Sequence, residues 1–272
     1  MNFDAVLPVT LSLFIIAVMF LYQRIEKNIR LLFEQDVKFR TRDVVLLVLL
    51  MGVMITVMAL MPDKVLQIFY TASISYTLFT FTNNILKKWY LALLPPAIFI
   101  LSYLYLWNIV TFNIFAFTFA AIVISYLTLF FNWKTTLIFA GLLTALDVFQ
   151  VFITGFMGQL AEKAVFNLQL PVVIMIPTYP TTGRIILGIG DILLSGLLTN
   201  QNMQRKGRRS GILTAISIGI AMFVFEVVEL NADYFRYFPA TVVVILGWLL
   251  GLGLTELSAR GLTRRVLQEG QH

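Results

Sequence analysis

The sequence contains no cysteine, a single histidine and unusually few charged residues. Without cysteine the chain can form no disulfide, no zinc–thiolate site and no thiol nucleophile. The one histidine, His272, is the final residue and has no neighbouring partner for acid–base work. Charged residues make up 12% of the 272 positions, whereas about 25% is typical of a soluble globular domain. These scarcities exclude thiol chemistry and argue against a soluble protein.

Hydrophobic residues, in contrast, make up 59% of the chain and occur in long blocks. Blocks of about 20 apolar residues are typical of helices that cross a bilayer. We therefore predict an all-α polytopic membrane protein, a single transmembrane domain over 1–272. Helices one to five fall in 1–131 and helices six to nine in 132–272. The nine predicted spans are 5–22, 43–61, 65–84, 89–108, 110–131, 135–157, 185–203, 211–230 and 238–257.

The loops between these spans divide the basic residues unequally. One side of the membrane holds Lys64, Lys163, Arg184 and Arg236, and the other side holds the remaining 16 of the 20 lysines and arginines. The positive-inside rule then predicts an outside N-terminus and a cytoplasmic C-terminus. The net charge of +6 reflects these loops and does not indicate nucleic-acid binding. The first span lacks a basic flank and a cleavage site, so we expect it to be retained.

Two acidic residues lie deep in predicted spans, Asp147 in the sixth and Asp191 in the seventh. A charge at the bilayer centre costs at least about 3 kcal/mol, and such residues usually face a bundle interior or a wet cavity. At 1.5 Å per helical residue, Asp147 lies roughly 15 Å and Asp191 roughly 10 Å below the outer surface. We therefore predict that the two carboxylates lie at one level and face each other.

A facing pair of carboxylates supports two kinds of function. Two such groups cannot both ionise readily, so they share a proton, and one acts as base while the other acts as acid. Such a pair can hydrolyse a peptide bond through a bound water, without a metal or other cofactor. It can equally serve a proton- or cation-coupled transporter. The pair alone leaves both alternatives open.

The residues around the pair resemble those of a known family. The run Gly188-Ile189-Gly190-Asp191 resembles the GxGD motif of the intramembrane aspartyl proteases, the family of presenilin and signal peptide peptidase. Asp147, in LDVFQVF, is similar to the family's first catalytic aspartate, and Pro239-Ala240-Thr241 resembles its Pro-Ala-Leu motif. Spans one to five agree with the family only in number.

The resemblance implies a function and a set of site residues. The function is an intramembrane aspartyl endopeptidase that cleaves transmembrane helices or signal-peptide remnants, with Asp147 and Asp191 as acid and base. Gly188 and Gly190 permit close approach, and Pro239 with Ala240 positions the substrate. The implied partners are single-span transmembrane peptides and membrane lipid, with no cofactor. The short loops and the lack of an endoplasmic-reticulum retrieval tail predict a prokaryotic or archaeal plasma membrane.

Two positions depart from the family's pattern. Leu146 stands where the family usually has tyrosine, and Thr241 replaces the leucine of the Pro-Ala-Leu motif. Either change is expected to alter rate or specificity without removing a catalytic carboxylate. The sequence does not predict natural substrates, oligomeric state or the role of the charged loop 23–42.

The connection between spans six and seven, and the end of span eight, carry three further features. MGQLAEKAVF, after Gly155, predicts a short amphipathic surface helix. Residues 168–177 are rich in β-branched side chains and predict either an interfacial loop or a strand that pairs with unwound substrate. Glu226 and Glu229 either border the cavity or, as we favour, anchor at the interface or pair with Arg236.

Overall fold

The computed structural model describes residues 3–30, 38–179, 183–232 and 238–269. Within these ranges the chain is predominantly helical, and two short strands interrupt the helices before Asp191. The helices are α1 (Val6–Arg30), α2 (Thr41–Leu60), α3 (Asp63–Leu86), α4 (Trp89–Ala92), α5 (Leu94–Tyr105), α6 (Ile109–Phe130), α7 (Trp133–Val148), α8 (Phe156–Ala161), α9 (Ile189–Lys206), α10 (Arg208–Ala232) and α11 (Ala240–Glu269). The strands are β1 (Val173–Pro177) and β2 (Arg184–Gly188).

Each predicted span overlaps one or two of these helices, and six helical segments are long and apolar enough to cross a membrane. Those segments are Val6–Arg30, Thr41–Leu60, Ile109–Phe130, Trp133–Thr154, Arg208–Asn231 and Ala240–Leu257. The protein is therefore a multi-pass integral membrane protein. That all nine predicted spans cross the bilayer remains a prediction.

Two predicted spans differ from the structure. The span predicted over 89–108 is divided at Leu93 into α4 and α5, because Pro95 and Pro96 carry no backbone N–H for helical hydrogen bonds. The span predicted over 185–203 begins as strand β2, and its helix starts only at Ile189. The predominantly helical fold is confirmed, and the two short strands are a local exception to the all-α prediction. The depth calculated for Asp191 from a helical rise also fails, since 184–188 is extended.

The connection after the sixth span is helical, as its sequence predicts. The sixth span continues from α7 through a π-helical stretch, Phe149–Thr154, and ends at Gly155, whose φ of 69° suits glycine. Helix α8 and a second π-helical stretch, Glu162–Asn167, then form the expected surface helix. Between the two predicted alternatives for 168–177, the structure shows a strand over Val173–Pro177.

Helix α9 lies at the centre of the bundle, packed against α1, α6, α10 and α11. Every side chain from Leu194 to Met203 is buried, including a polar run of four. Asn200 donates to the Thr128 hydroxyl, Gln201 donates to the carbonyl oxygens of Thr128 and Phe131, and Asn202 donates to the Thr214 hydroxyl. Because a bilayer offers no water to polar groups, these internal bonds permit a polar helix at the centre.

Contacts at the two ends of the bundle agree with the alternation of loops. The Lys163 ammonium contacts Asp63 at 3.2 Å and donates to the Met61 carbonyl, which joins the 2–3 and 6–7 connections. At the opposite end the Arg205 guanidinium lies 4.6 Å from the centre of the Trp133 ring. The C-terminal end of α9 and the N-terminal end of α7 therefore lie on the same side of the bundle.

Candidate active site

Asp147 and Asp191 are brought together by neighbouring helices, as the sequence predicts. Asp147 lies in the last turn of α7, just before that helix loosens into its π-helical stretch, and Asp191 lies in the first turn of α9. Helices α7 and α9 are in contact, and the charges of the two carboxylates interact. Both side chains are partly buried. The two acids therefore form one electrostatically coupled pair.

Thr241, at the start of α11, connects the third motif to this pair. Its hydroxyl donates a 2.7 Å hydrogen bond to Oδ2 of Asp147, and its backbone amide interacts with both carboxylates. The side chain is buried, with 3% of its surface exposed. The sequence treats Thr241 only as a departure from the family motif. The bond from Thr241 to Asp147 could have been expected from the residue type, because threonine has a hydrogen-bond donor that leucine lacks.

Pro239 and Ala240 lie where α11 begins. Ala240 is the first helical residue, and the Pro239 carbonyl accepts a 3.1 Å hydrogen bond from the Val242 N–H. Proline immediately before the first turn loses no helical hydrogen bond, because that N–H has no intrahelical acceptor. Pro239 and Ala240 therefore lie at the start of α11, next to Thr241, whose hydroxyl contacts the Asp147 carboxylate.

The two glycines of the GxGD run serve different spatial needs. A Cβ on Gly188 would lie 3.1 Å from Oδ2 of Asp191, so a side chain there would displace the carboxylate. Gly190 is exposed, and a Cβ there would meet no atom within 4 Å among the described residues. Gly188 therefore leaves room for Asp191, whereas Gly190 presents bare backbone to open space.

Strand β2 leads directly into Gly188, and its pairing leaves one edge open. It pairs with β1 in antiparallel register, with Met175 opposite Ile186 and Val173 opposite Gly188. The far edge of β1 is closed by α6, since the Asn113 side chain bonds both the N–H (2.9 Å) and the C=O (2.7 Å) of Met175. Among the described residues, no further strand pairs with β2. The hairpin therefore has one closed edge and one open edge.

Leu146 and Gln150 fasten the end of the sixth span to α2. A Cβ on Gly52 would lie 2.9 Å from Cδ1 of Leu146, so the leucine packs directly against this glycine. The Gln150 amide donates a 3.1 Å hydrogen bond to the Gly52 carbonyl. Leu146, where the family usually has tyrosine, therefore contributes an apolar contact with α2. This residue directly precedes Asp147 in the sequence.

Glu226 is buried but interacts with a different acid. Its side chain is 5% exposed, neither carboxylate oxygen has a hydrogen-bond partner among the described residues, and its charge interacts with that of Asp4. Asp4 accepts hydrogen bonds from the backbone amides of Leu7 and Tyr179. Glu229 is only partly buried. The predicted partner Arg236 lies outside the described residues, as do 31–37 of the 23–42 loop.

A multi-pass helical protein with two coupled carboxylates beside a strand edge has the parts of a membrane-embedded peptidase. Among the described residues, no three His, Cys, Asp or Glu side chains are grouped as metal ligands. Residues 2–264 match the family described as signal peptide peptidase, and the chain belongs to this family of intramembrane proteases. No curated protein is similar enough to the chain to be identified as a relative.

Proposed function

We propose that this protein is an intramembrane aspartyl endopeptidase that hydrolyses peptide bonds in transmembrane helices or signal-peptide remnants. The observation that carries the proposal is the pairing of Asp147 with Asp191, in which Asp147 also accepts a hydrogen bond from the Thr241 hydroxyl. Family membership supports proteolysis within the membrane. The chain also lacks cysteine, and its one histidine is the last residue, so a thiol or a serine–histidine mechanism has no suitable residues.

In the proposed reaction, Asp147 and Asp191 hold one proton and one water between them. The ionised carboxylate removes a proton from the water as its oxygen attacks the substrate carbonyl carbon, and the protonated carboxyl gives its proton to the carbonyl oxygen. The tetrahedral intermediate then collapses. The amide nitrogen leaves with a proton from the carboxyl that gained one. One hydroxyl of the intermediate returns its proton to the carboxylate that had lost one, and a substrate carboxyl group remains. The aspartates finish the cycle again sharing one proton.

Substrate must first unwind, because amides within a transmembrane helix are hydrogen-bonded and shielded. We assign the open edge of β2 as the surface that holds the unwound segment by strand pairing. Strand β1, within 168–177, is a poorer candidate for pairing with substrate. Asn113 already bonds the outer N–H and C=O of β1 at Met175. Gly190 allows the substrate backbone to approach Asp191, and Gly188 keeps that carboxylate in place.

We further propose that all nine predicted spans cross the membrane as one transmembrane domain over 1–272. Helices of 1–131 support those of 132–272, which carry both aspartates, and α9 joins the two halves by packing on α1 and α6. The basic-residue bias supports an outside N-terminus and a cytoplasmic C-terminus in a prokaryotic or archaeal plasma membrane. The active pair then lies nearer the outer face.

Cleavage of a fluorogenic transmembrane peptide by the purified protein in proteoliposomes tests the protease proposal. We expect cleavage by the wild type and by Glu229→Gln, a control that removes a partly buried carboxylate near the end of the eighth predicted span. We expect Asp147→Asn and Asp191→Asn each to abolish cleavage, because the amide neither accepts nor donates the transferred proton. If both variants cleave as fast as the wild type, the proposal is wrong. Proton-coupled uptake lost in both variants, with no cleavage by any protein, would establish the transporter alternative.

A further inference from the structure

A cavity of about 440 Å³ lies beside the β-hairpin, and we call it the hairpin pocket. Trp107 lines it from the turn between α5 and α6, and Phe112 from the first turn of α6. Val165 and Phe166 line it from the second π-helical stretch, and Met175 and Ile186 from the two strands. Arg184 also borders it. The aspartate pair does not line this pocket, yet Ile186 connects it to the strand that leads into the active site.

The hairpin has one face on the protein core and the other on this pocket. Side chains alternate between the two faces of a strand. Leu187 of β2 and its partner Ile174 are buried in the main core. Ile186 and its partner Met175 therefore point to the opposite face, where both line the pocket. Side chains of that second face lie apart from the main core, next to a smaller buried cluster of Phe112, Val165 and Val173 that borders the pocket.

The position of Asn113 shows which backbone groups of β2 face the open edge. Because Asn113 bonds both the N–H and the C=O of Met175 on the far side of β1, Met175 and Ile186 form a non-hydrogen-bonded pair. The N–H and C=O of Ile186 must then point outward, to the open edge. A strand added in antiparallel orientation would form a hydrogen-bonded pair with Ile186, with the two Cα atoms about 5.5 Å apart. The side chain opposite Ile186 would lie on the same sheet face, next to the pocket.

The walls of the pocket favour an aromatic or similarly large apolar group. The polar atom of the Trp107 ring already donates to the Gln169 carbonyl at 2.9 Å, so the ring offers its apolar surface. Phe166 is 63% exposed, which leaves a ring available for contact. The guanidinium of Arg184 at the border adds a cation that can lie over an aromatic face.

We propose that the hairpin pocket is a specificity site that receives an aromatic side chain of the unwound substrate. This inference rests on the proposed protease function. The side chain belongs to the substrate residue opposite Ile186, two residues along the added strand from the residue opposite Gly188. Because Gly188 adjoins the Asp191 carboxylate, the aromatic residue occupies a fixed position close to the cleaved bond. The pocket thereby selects substrates and sets the position of cleavage.

The test uses a set of transmembrane peptides that are identical except for one phenylalanine moved along the region of cleavage, with an alanine version as reference. For the wild type, we expect kcat/KM to be about tenfold higher with phenylalanine at one position than with alanine. Mass spectrometry is expected to show the cleaved bond moving with the phenylalanine. If kcat/KM is the same at all positions and the alanine peptide is still cleaved, the proposed role of the pocket is wrong, and the protease proposal is unaffected.

Two variants and two controls locate the selectivity in the pocket. Ile186→Trp fills the cavity and Phe166→Ala removes part of its wall, and we expect both to bring the phenylalanine-to-alanine ratio close to one. The ratio is taken within each variant, so a change that slows cleavage of both peptides equally leaves the ratio unaltered. Ile153→Trp and Phe20→Ala, which alter exposed side chains elsewhere, should keep the wild-type ratio.

The outcomes separate the two proposals. A ratio that is unchanged in both pocket variants contradicts the inference, even if one of the variants is less stable in a thermal melt. Failure of the wild type to cleave any peptide contradicts the proposed protease function itself. Loss of the ratio in the control variants as well would show that selectivity does not reside in the pocket.

Discussion

The hydroxyl of Thr241 lies 2.7 Å from Oδ2 of Asp147 and donates to it, so the start of α11 is bonded directly to a proposed catalytic acid. A leucine at this position, as in the related family motif, would have no such donor. The third motif therefore contacts a proposed catalytic carboxylate directly, in addition to the substrate-positioning role that the family resemblance implies.

Removing this hydroxyl should slow proteolysis. A hydrogen bond to a charged group contributes about 1.5–3 kcal/mol, so we expect Thr241→Val to lower kcat roughly ten- to hundredfold. Thr241→Ser keeps the donor and should retain most of the rate. Thr118→Val removes an exposed helical hydroxyl and serves as the matched control. A Thr241→Val protein with wild-type kcat would show that the bond does not orient Asp147 for catalysis.

The two motif glycines should respond differently to a single methyl group. Gly188→Ala puts a Cβ 3.1 Å from Oδ2 of Asp191, and we expect about tenfold slower cleavage because the carboxylate must shift. A Cβ at Gly190 would meet no atom within 4 Å among the described residues, so we expect Gly190→Ala to melt at the wild-type temperature while kcat/KM falls. Gly141→Ala, also in open space, should change neither quantity.

Comparing melting temperatures with cleavage rates decides this prediction. If Gly190→Ala cleaves as the wild type does, substrate does not approach that backbone. If Gly188→Ala is fully active, the Asp191 carboxylate has more room than the structure indicates.

Replacing Asn113 should release the hairpin from α6. Asn113→Leu leaves the N–H and C=O of Met175 without their partner, and each unsatisfied group costs about 1–3 kcal/mol when shielded from water. We expect a lower melting temperature and slower cleavage. Asn28→Leu, which replaces an exposed asparagine of α1, serves as the control and should have little effect. Normal cleavage by Asn113→Leu would show that the hairpin needs no anchoring on α6.

The proposed orientation can be read by labelling, because the wild-type chain offers no cysteine. We expect Lys64→Cys to react with an impermeant maleimide added to intact cells, since this exposed residue belongs to the outer set. Lys88→Cys, also exposed, should react only after the cells are opened. The reverse pattern would place the N-terminus in the cytoplasm and contradict the charge-based prediction.

The sequence predicted best what depends on local pattern. The positions of Asp147 and Asp191 on neighbouring helices follow from long apolar runs, each with one acid, and the structure confirms that the helices meet. The surface helix after Gly155 was predictable for the same reason, since its amphipathic pattern is contained within a dozen residues.

What depended on distant partners was not predictable. The run before Asp191 is apolar and continues into α9 without a break, which predicts a helix. Pairing with β1 instead makes residues 184–188 a strand. Asn113 lies 62 positions from Met175, and Thr241 lies 94 positions from Asp147. The hydrophobic periodicity of a short segment contains no information on contacts between residues so far apart in the sequence.

The Asn113 bonds to Met175 also limit what the active site can hold. Because α6 closes one side of the hairpin at Met175, the open edge of the sheet among the described residues is that of β2. If substrate pairs with this edge as proposed, an extended peptide without a cleavable bond that pairs there excludes substrate. Inhibition by such a peptide is expected to be purely competitive, with one molecule bound per protein.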